Sequence, residues 1–243
     1  MKFSLSSCLE AGMKATTISS EELQTEEDGK VISTEEVQRN GDNVDGIVVN
    51  KEKEYVDFIN KDMFLRINDR TGHHSCFLDD SISCTDTIRP LVLLLNGMTE
   101  EETIDIDINS YGGSIISMGL ICSAIMRCQG TVNTNLLGFG YSAGSMIWAC
   151  GHKLSVSPNT HGMFHMAIVG MIGRADEKSV ELRHSADITT KMLKYCLNRK
   201  IITQDEFNNI TVDKKEDIYI PYKELLARIE VINQENTNFR SLV

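Results

Sequence analysis

Gly138-Phe139-Gly140-Tyr141-Ser142-Ala143-Gly144 sets a serine among glycines, directly before an apolar helical stretch. A hydroxyl becomes a nucleophile only when a base takes its proton, an acid orients that base, and preorganised donors receive the developing negative charge. A strand-to-helix turn suits such a serine, because the helix aims unsatisfied N–H groups and its positive end at the hydroxyl. The same position equally suits a plain helix N-cap. A second glycine-rich turn, Ser110-Tyr111-Gly112-Gly113-Ser114, offers more N–H groups, or is only a tight turn. It is not a phosphate cradle, since it has neither GxxxxGK[ST] nor the spacing of GxGxxG. His165 follows the serine helix as a candidate base, with His73, His74, His152, His161 and His184 as competitors that spacing alone does not separate. Asp213, Glu216 and Asp217 cluster as candidate acids, although such a cluster also suits a solvated face. Cys150 is a weaker nucleophile candidate, for it falls inside the apolar run MIWAC, where a buried thiol is the better reading.

These residues must be held by regular elements. Residues 103–108 (TIDIDI) alternate isoleucine with aspartate, a strand period. A turn is expected at NSYGGS, and 114–128 then repeats apolar residues at helical spacing. Residues 131–137 read as a second strand, GFGYS as a second turn and 143–150 as a second helix. This βαβα order implies a parallel sheet with right-handed crossovers. Ligands of such sheets gather where strand ends feed helix starts, so the turns at 109–114 and 138–142 are expected to be neighbours. Before them, 86–97 reads as a buried helix. After them come short strands at 154–157 and 162–166 around Pro158-Asn159 and a long helix over 175–200, with Leu182, Ile188, Met192 and Leu193 on its apolar side. Thr203-x-x-Glu206 forms a capping box, Asp217-Ile-Tyr-Ile a late strand, and 221–231 a closing helix.

The whole chain, 243 residues with 41% apolar and 24% charged residues, is long enough for one sizeable domain. No apolar run reaches a membrane span, and Glu10 interrupts the short apolar start, so a cytoplasmic protein is expected. A net charge of −11 argues against a nucleic-acid partner. Seven cysteines without a CxxC pair point to reduced thiols rather than disulfides or a zinc site. Residues 1–50 hold ten acids and four bases and little apolar period, which reads as a flexible or partly ordered acidic extension or propeptide ahead of a domain spanning 51–243.

Taken together, the motifs resemble those of the ClpP family. INSYGGSI is similar to the family's INSPGGSV, and GFGYSAGSMIWACG to GxAASMGAxLLAAG, with no insertion between them. SPNTHGMFHM resembles LPNSRIMIHQP, with a serine-to-histidine segment about two residues shorter, and ITVDKKEDIYIPYKEL resembles IERDTERDxFxSxxEA. The resemblance covers roughly residues 55–232 and implies an α/β, ClpP/crotonase-like fold of repeated ββα units with a protruding handle helix at 175–200. It further implies Ser142 as nucleophile, His165 as base, Asp217 as acid, Asp213 as a second family aspartate, and the backbone N–H groups of Gly113 and Ala143 as oxyanion donors. The family's activity is hydrolysis of peptide bonds in unfolded polypeptides, within a homo-oligomer of two stacked rings, usually heptameric. An AAA+ unfoldase partner uses the ATP, and the peptidase chain itself needs no cofactor or metal. Tyr111 replaces the family's proline, Tyr141 its alanine, and Met166-Ala167 the usual Gln-Pro. These departures mark an outlying member, such as a virus-encoded one in a host cytoplasm. Three other readings stand beside this one: a non-catalytic ring subunit, a capsid-maturation protease, and a crotonase-like acyl-CoA enzyme.

Overall fold

The computed structural model describes residues 38–40, 43–50, 55–83, 85–168, 175–213 and 216–234. One mixed sheet organises them. Its first part is an antiparallel meander: β1 (Gln38–Asn40), β2 (Asn43–Asn50), β3 (Tyr55–Ile59), β4 (Met63–Asn68) and β5 (His73–Ile82). From β5 the sheet turns parallel through β6 (Thr103–Gly113) and β7 (Thr131–Tyr141). The far edge of β7 is shared lengthwise. β8 (Lys153–Val156) pairs with Asn133–Leu136, and β9 (His161–Phe164) pairs with Phe139–Tyr141. β10 (Ile218–Pro221) closes the sheet antiparallel to β9. Within the described residues the sheet begins with β1 and β2, and β2 pairs with β3. Residues 1–37 of the expected extension lie outside the described residues.

The helices are α1 (Thr85–Gly97), α2 (Ile115–Arg127), α3 (Ala143–Cys150), α4 (Ala175–Asn198), α5 (Gln204–Asn208) and α6 (Tyr222–Gln234), with a π-helical turn at Asn209–Asp213. The alternation in β6 buries Ile104, Ile106 and Ile108 completely against α3. α3 carries Ser145 as its one polar side chain and every one of its residues is buried, as a helix without a polar face must be. α2 adds Met118, Ile121, Cys122 and Ile125, and α1 adds Leu91, Leu94 and Leu95. Thr203 caps α5 in a full capping box with Glu206, as its sequence spacing predicts.

The opposite side of the alternation is polar and cross-linked. Asn133 Nδ2 donates to Asp105 at 2.7 Å, Asn135 Nδ2 to Asp107 at 2.8 Å, and Asn109 Nδ2 to Asp79 at 2.7 Å.

Three expectations are corrected. NSYGG and GFGY are not turns, because β6 runs through Gly113 and β7 through Tyr141. Gly138 is small because its backbone approaches Asn109, whose Oδ1 would lie 2.3 Å from any Cβ there and which accepts the Phe139 N–H at 3.0 Å. Leu182 and Ile188 do not face the core but are 51% and 36% exposed. The described side chains of α4 from Val180 to Ile188 include none that is buried, whereas Leu193, Tyr195 and Cys196 are, so the helix projects from the body by its N-terminal half.

Candidate active site

Ser142 stands between β7 and α3 with φ 54° and ψ −117°, a conformation that non-glycine residues rarely adopt. Its position is that of an N-cap, yet its side chain makes no capping bond. Ser114, at the start of α2, behaves as a cap should, with Oγ accepting the Ser117 N–H at 3.2 Å. The Ser142 hydroxyl instead lies 2.7 Å from His165 Nε2.

Local hydrogen bonds explain that meeting. The Ser142 N–H donates to Met163 O at 2.8 Å, which ties the turn to β9 two residues before His165. Ser145 Oγ makes a short bond to Gly140 O and accepts the Met163 N–H at 3.1 Å. Thr160 Oγ1 donates to Leu136 O at 3.1 Å as the chain passes from β8 to β9. Ser145 is a site-building residue that the sequence reading missed. Its only signal was a hydroxyl one helical turn beyond Ser142.

Asp217 immediately precedes β10, and antiparallel pairing of β10 with β9 sets Ile218 opposite Phe164. The carboxylate Oδ1 is 3.4 Å from His165 Nδ1, while Nδ1 is buried and has no hydrogen-bond partner among the described residues. The contact is thus an ion-pair distance rather than a formed hydrogen bond. His165 is 12% and Asp217 47% exposed at the side chain, so the pair opens to solvent on the acid's side. Asp213 closes the π-helical turn, and the Glu216 N–H donates to Asn209 O at 3.3 Å.

Gly113 and Ala143 line the same cleft of about 100 Å³ as Ser142 and His165, together with Met118 and Met146. The strand ends are pressed together there: a Cβ on Gly112 would lie 2.7 Å from Tyr141 O and 2.8 Å from Ser142 Cβ. The expected proximity of the two glycine-rich segments is therefore observed. Gly112 has φ +99° and Gly113 φ +146°, values that suit glycine alone.

The competing groups are placed elsewhere. His74 is fully buried, accepts the Asn68 N–H on Nδ1 and faces Glu102 with Nε2. His73 pairs with Asp105, and His152 accepts the Val132 N–H. His161 and His184 are exposed on β9 and α4. Cys150 is fully buried, and burial together with Cys122 pushes its thiol well up, which removes it as a nucleophile at neutral pH. Cys76, Cys122, Cys128, Cys150 and Cys196 are free and buried. Burial, with Tyr219 and Tyr111 nearby, also pushes the Tyr141 phenol up, so this ring stays neutral beside the serine. Among the described residues, no cluster of three or more His, Cys, Asp or Glu side chains could hold a metal ion, and no helix is long and apolar enough to cross a membrane.

Fold and site define an α/β protein with a serine at a strained strand-to-helix turn facing a histidine that directly follows the neighbouring strand β9. The chain belongs to the Clp protease family, whose sequence model matches residues 60–227. It is similar to the ATP-dependent Clp protease proteolytic subunit 4, chloroplastic, of Arabidopsis thaliana, at 27% identity over 163 residues, 65% of this chain and 53% of that protein. It is also similar to the ATP-dependent Clp protease proteolytic subunit 3, chloroplastic, of the same plant, at 34% identity over 100 residues, 40% of this chain and 32% of that protein. The chain thus spans about half the length of the first relative and a third of the second.

Proposed function

We propose that this chain is a serine endopeptidase that hydrolyses peptide bonds of unfolded polypeptides. Ser142 attacks the peptide carbonyl while His165 Nε2 takes the hydroxyl proton, later delivered to the leaving amine. Asp217 accepts from His165 Nδ1–H, holds the tautomer and stabilises the imidazolium. The 3.4 Å separation shortens as substrate closes the cleft, because catalytic hydrogen bonds tighten on binding. The N–H groups of Gly113 and Ala143 receive the oxyanion. The observation that carries this reading is the 2.7 Å contact between His165 Nε2 and Ser142 Oγ, made by a serine that declines its capping bond. The same contact weighs against a non-catalytic ring subunit.

The working form is a homo-oligomer of two stacked rings, heptameric in the usual case. The projecting half of α4, with Val180, Leu182 and Ile188 in solvent, supports it as the handle between rings. An AAA+ unfoldase supplies unfolded chains and uses the ATP, and the peptidase itself works without a cofactor in the cytoplasm. A fluorophosphonate probe tests the centre of the proposal. We expect one adduct per chain, mapped to the Ser142 peptide and lost in Ser142→Ala. An assembled, folded protein that takes up no probe would overturn it.

A further inference from the structure

Four aromatic rings cluster just outside the cleft. Tyr111 stacks on Phe139, with centroids 4.8 Å apart and planes at 24°. Tyr141 meets Phe139 at 5.3 Å, Tyr111 at 6.1 Å and Tyr219 at 5.8 Å, the last edge-on at 88°. None of the four lines the cleft. Tyr111, Phe139 and Tyr219 are 57%, 40% and 56% exposed, so the cluster is not an extension of the core.

Its placement along the chain is what gives it meaning. Tyr111 directly precedes Gly112 and Gly113, Tyr141 directly precedes Ser142, and Tyr219 stands two residues after Asp217. The rings come from β6, β7 and β10, and β10 is separated from β7 by β9 in the sheet. Tyr141 touches rings from all of these strands and is the hub. A positive-φ serine persists only where its surroundings over-determine it. The Ser142 N–H donates to Met163 O of β9, Ser142 O accepts from the Met146 N–H of α3, and Gly112 backs directly onto the Tyr141–Ser142 peptide. The Tyr141 ring, one residue before Ser142, is anchored in turn on the Tyr111, Phe139 and Tyr219 rings. Edge-to-face and offset-stacked rings add directional attraction to area burial, which suits them to fixing an angle between strands.

We infer that the Tyr111–Phe139–Tyr141–Tyr219 cluster is a positioning device, with Tyr141 as its hub. It fixes the Ser142 turn, the Gly112–Gly113 backbone and the Asp217 strand relative to one another without touching substrate. The inference rests on the proposed role of Ser142. It also explains why bulk stands beside the nucleophile without occupying the cleft.

The test uses the full chain, with Tyr141→Leu, Tyr219→Leu, their double variant, and Tyr141→Phe and Tyr219→Phe. Three readouts are taken: the fluorophosphonate labelling rate, kcat and KM on a fluorogenic peptide, and amide hydrogen exchange across residues 138–146. Each leucine variant is expected to lower the labelling rate and kcat roughly tenfold, because small displacements of reacting groups are costly. KM should stay within about twofold, since the rings lie outside the cleft. Exchange over 138–146 should quicken, the double variant should be little worse than the single ones, and the phenylalanine variants should behave as the parent. Parent-like labelling and exchange in folded leucine variants would overturn the inference, as would a change in KM with kcat intact. Tyr219, on an edge strand and half in solvent, keeps the test available if Tyr141→Leu does not fold. Should the parent itself take no probe while the leucine variants still quicken exchange and the phenylalanine variants restore it, the proposed function falls and the positioning role stands.

Discussion

One chemical change at two glycines should move stability in opposite directions. At Gly113 the φ of +146° is outside the range of L side chains, and an added Cβ would lie 2.2 Å from Ile82 O and 2.9 Å from Ile82 C. These are backbone atoms of a strand that cannot retreat. Ile82 pairs with Gly113 in the sheet, its side chain is 1% exposed, and its carbonyl accepts the Ser114 N–H at 2.7 Å. The unfavourable conformation costs about 1–3 kcal/mol. The overpacking adds about 1–3 kcal/mol, so Gly113→Ala should destabilise by roughly 2–6 kcal/mol in all. Gly119 lies inside α2, and a Cβ there meets no atom of the described residues within 4 Å. Gly119→Ala should therefore stabilise by about 0.5–1 kcal/mol through helix propensity alone. Equilibrium denaturant unfolding of the two variants beside the parent measures both. A Gly113→Ala protein within about 1 kcal/mol of the parent would refute the clash argument, since ordinary surface changes fall below that. Equal losses at both positions would refute the use of local space to assign the sign.

Three further outcomes are expected. Burial is the main influence on His74 and holds its imidazole below the ordinary range despite the opposing pull of Glu102. The unfolded chain then binds the proton more readily, so stability is full above the ordinary imidazole value and falls as pH drops through it towards the lower folded value. Unfolding midpoints that stay flat between pH 7.5 and 5.5, set as roughly one unit either side of the ordinary histidine pKa, would contradict this. Ser142→Gly should be more stable than Ser142→Ala by about 1 kcal/mol, because glycine accepts the positive φ, while both lose probe labelling; paired denaturation curves decide. Asp217→Asn should lower kcat on a fluorogenic peptide by about 10³–10⁴-fold with the fold intact. A loss under tenfold would hand the acid's role to another group.

The sequence was most legible where hydrophobic period and capping agree. TIDIDI, the run 143–150 and Thr203-x-x-Glu206 all took the predicted form. It was least legible over 55–82, where three strands went unassigned. There, polar residues occupy core positions and break the alternation: Asp57 is 6% exposed and pairs with Arg66 at 2.7 Å, and His74 is fully buried. The glycines of NSYGG and GFGY mimicked turns because glycine serves close backbone approach as well as chain reversal, and only the neighbouring strand tells which. At the site, the serine turn was legible as a turn that feeds a helix. The partnership with His165 was not, because it depends on the Ser142–Met163 backbone bond and on β9 lying along β7. Resemblance to a family supplied the pairing that spacing could not.

The Asn–Asp rungs on the polar side of the sheet carry information that the core side lacks. A strand slipped by two residues keeps every isoleucine facing inward, since side chains repeat with period two, so the apolar pattern tolerates that error. The rungs do not. They join Asp105 to Asn133 and Asp107 to Asn135, and the slip would set one aspartate opposite Leu137 or one asparagine opposite Asn109. Such a slip would carry the Gly112–Gly113 backbone about 6–7 Å along the serine strand. Both rungs form together in a single alignment, a slip by two keeping at most one, and that alignment is the one that brings Gly112 against Ser142.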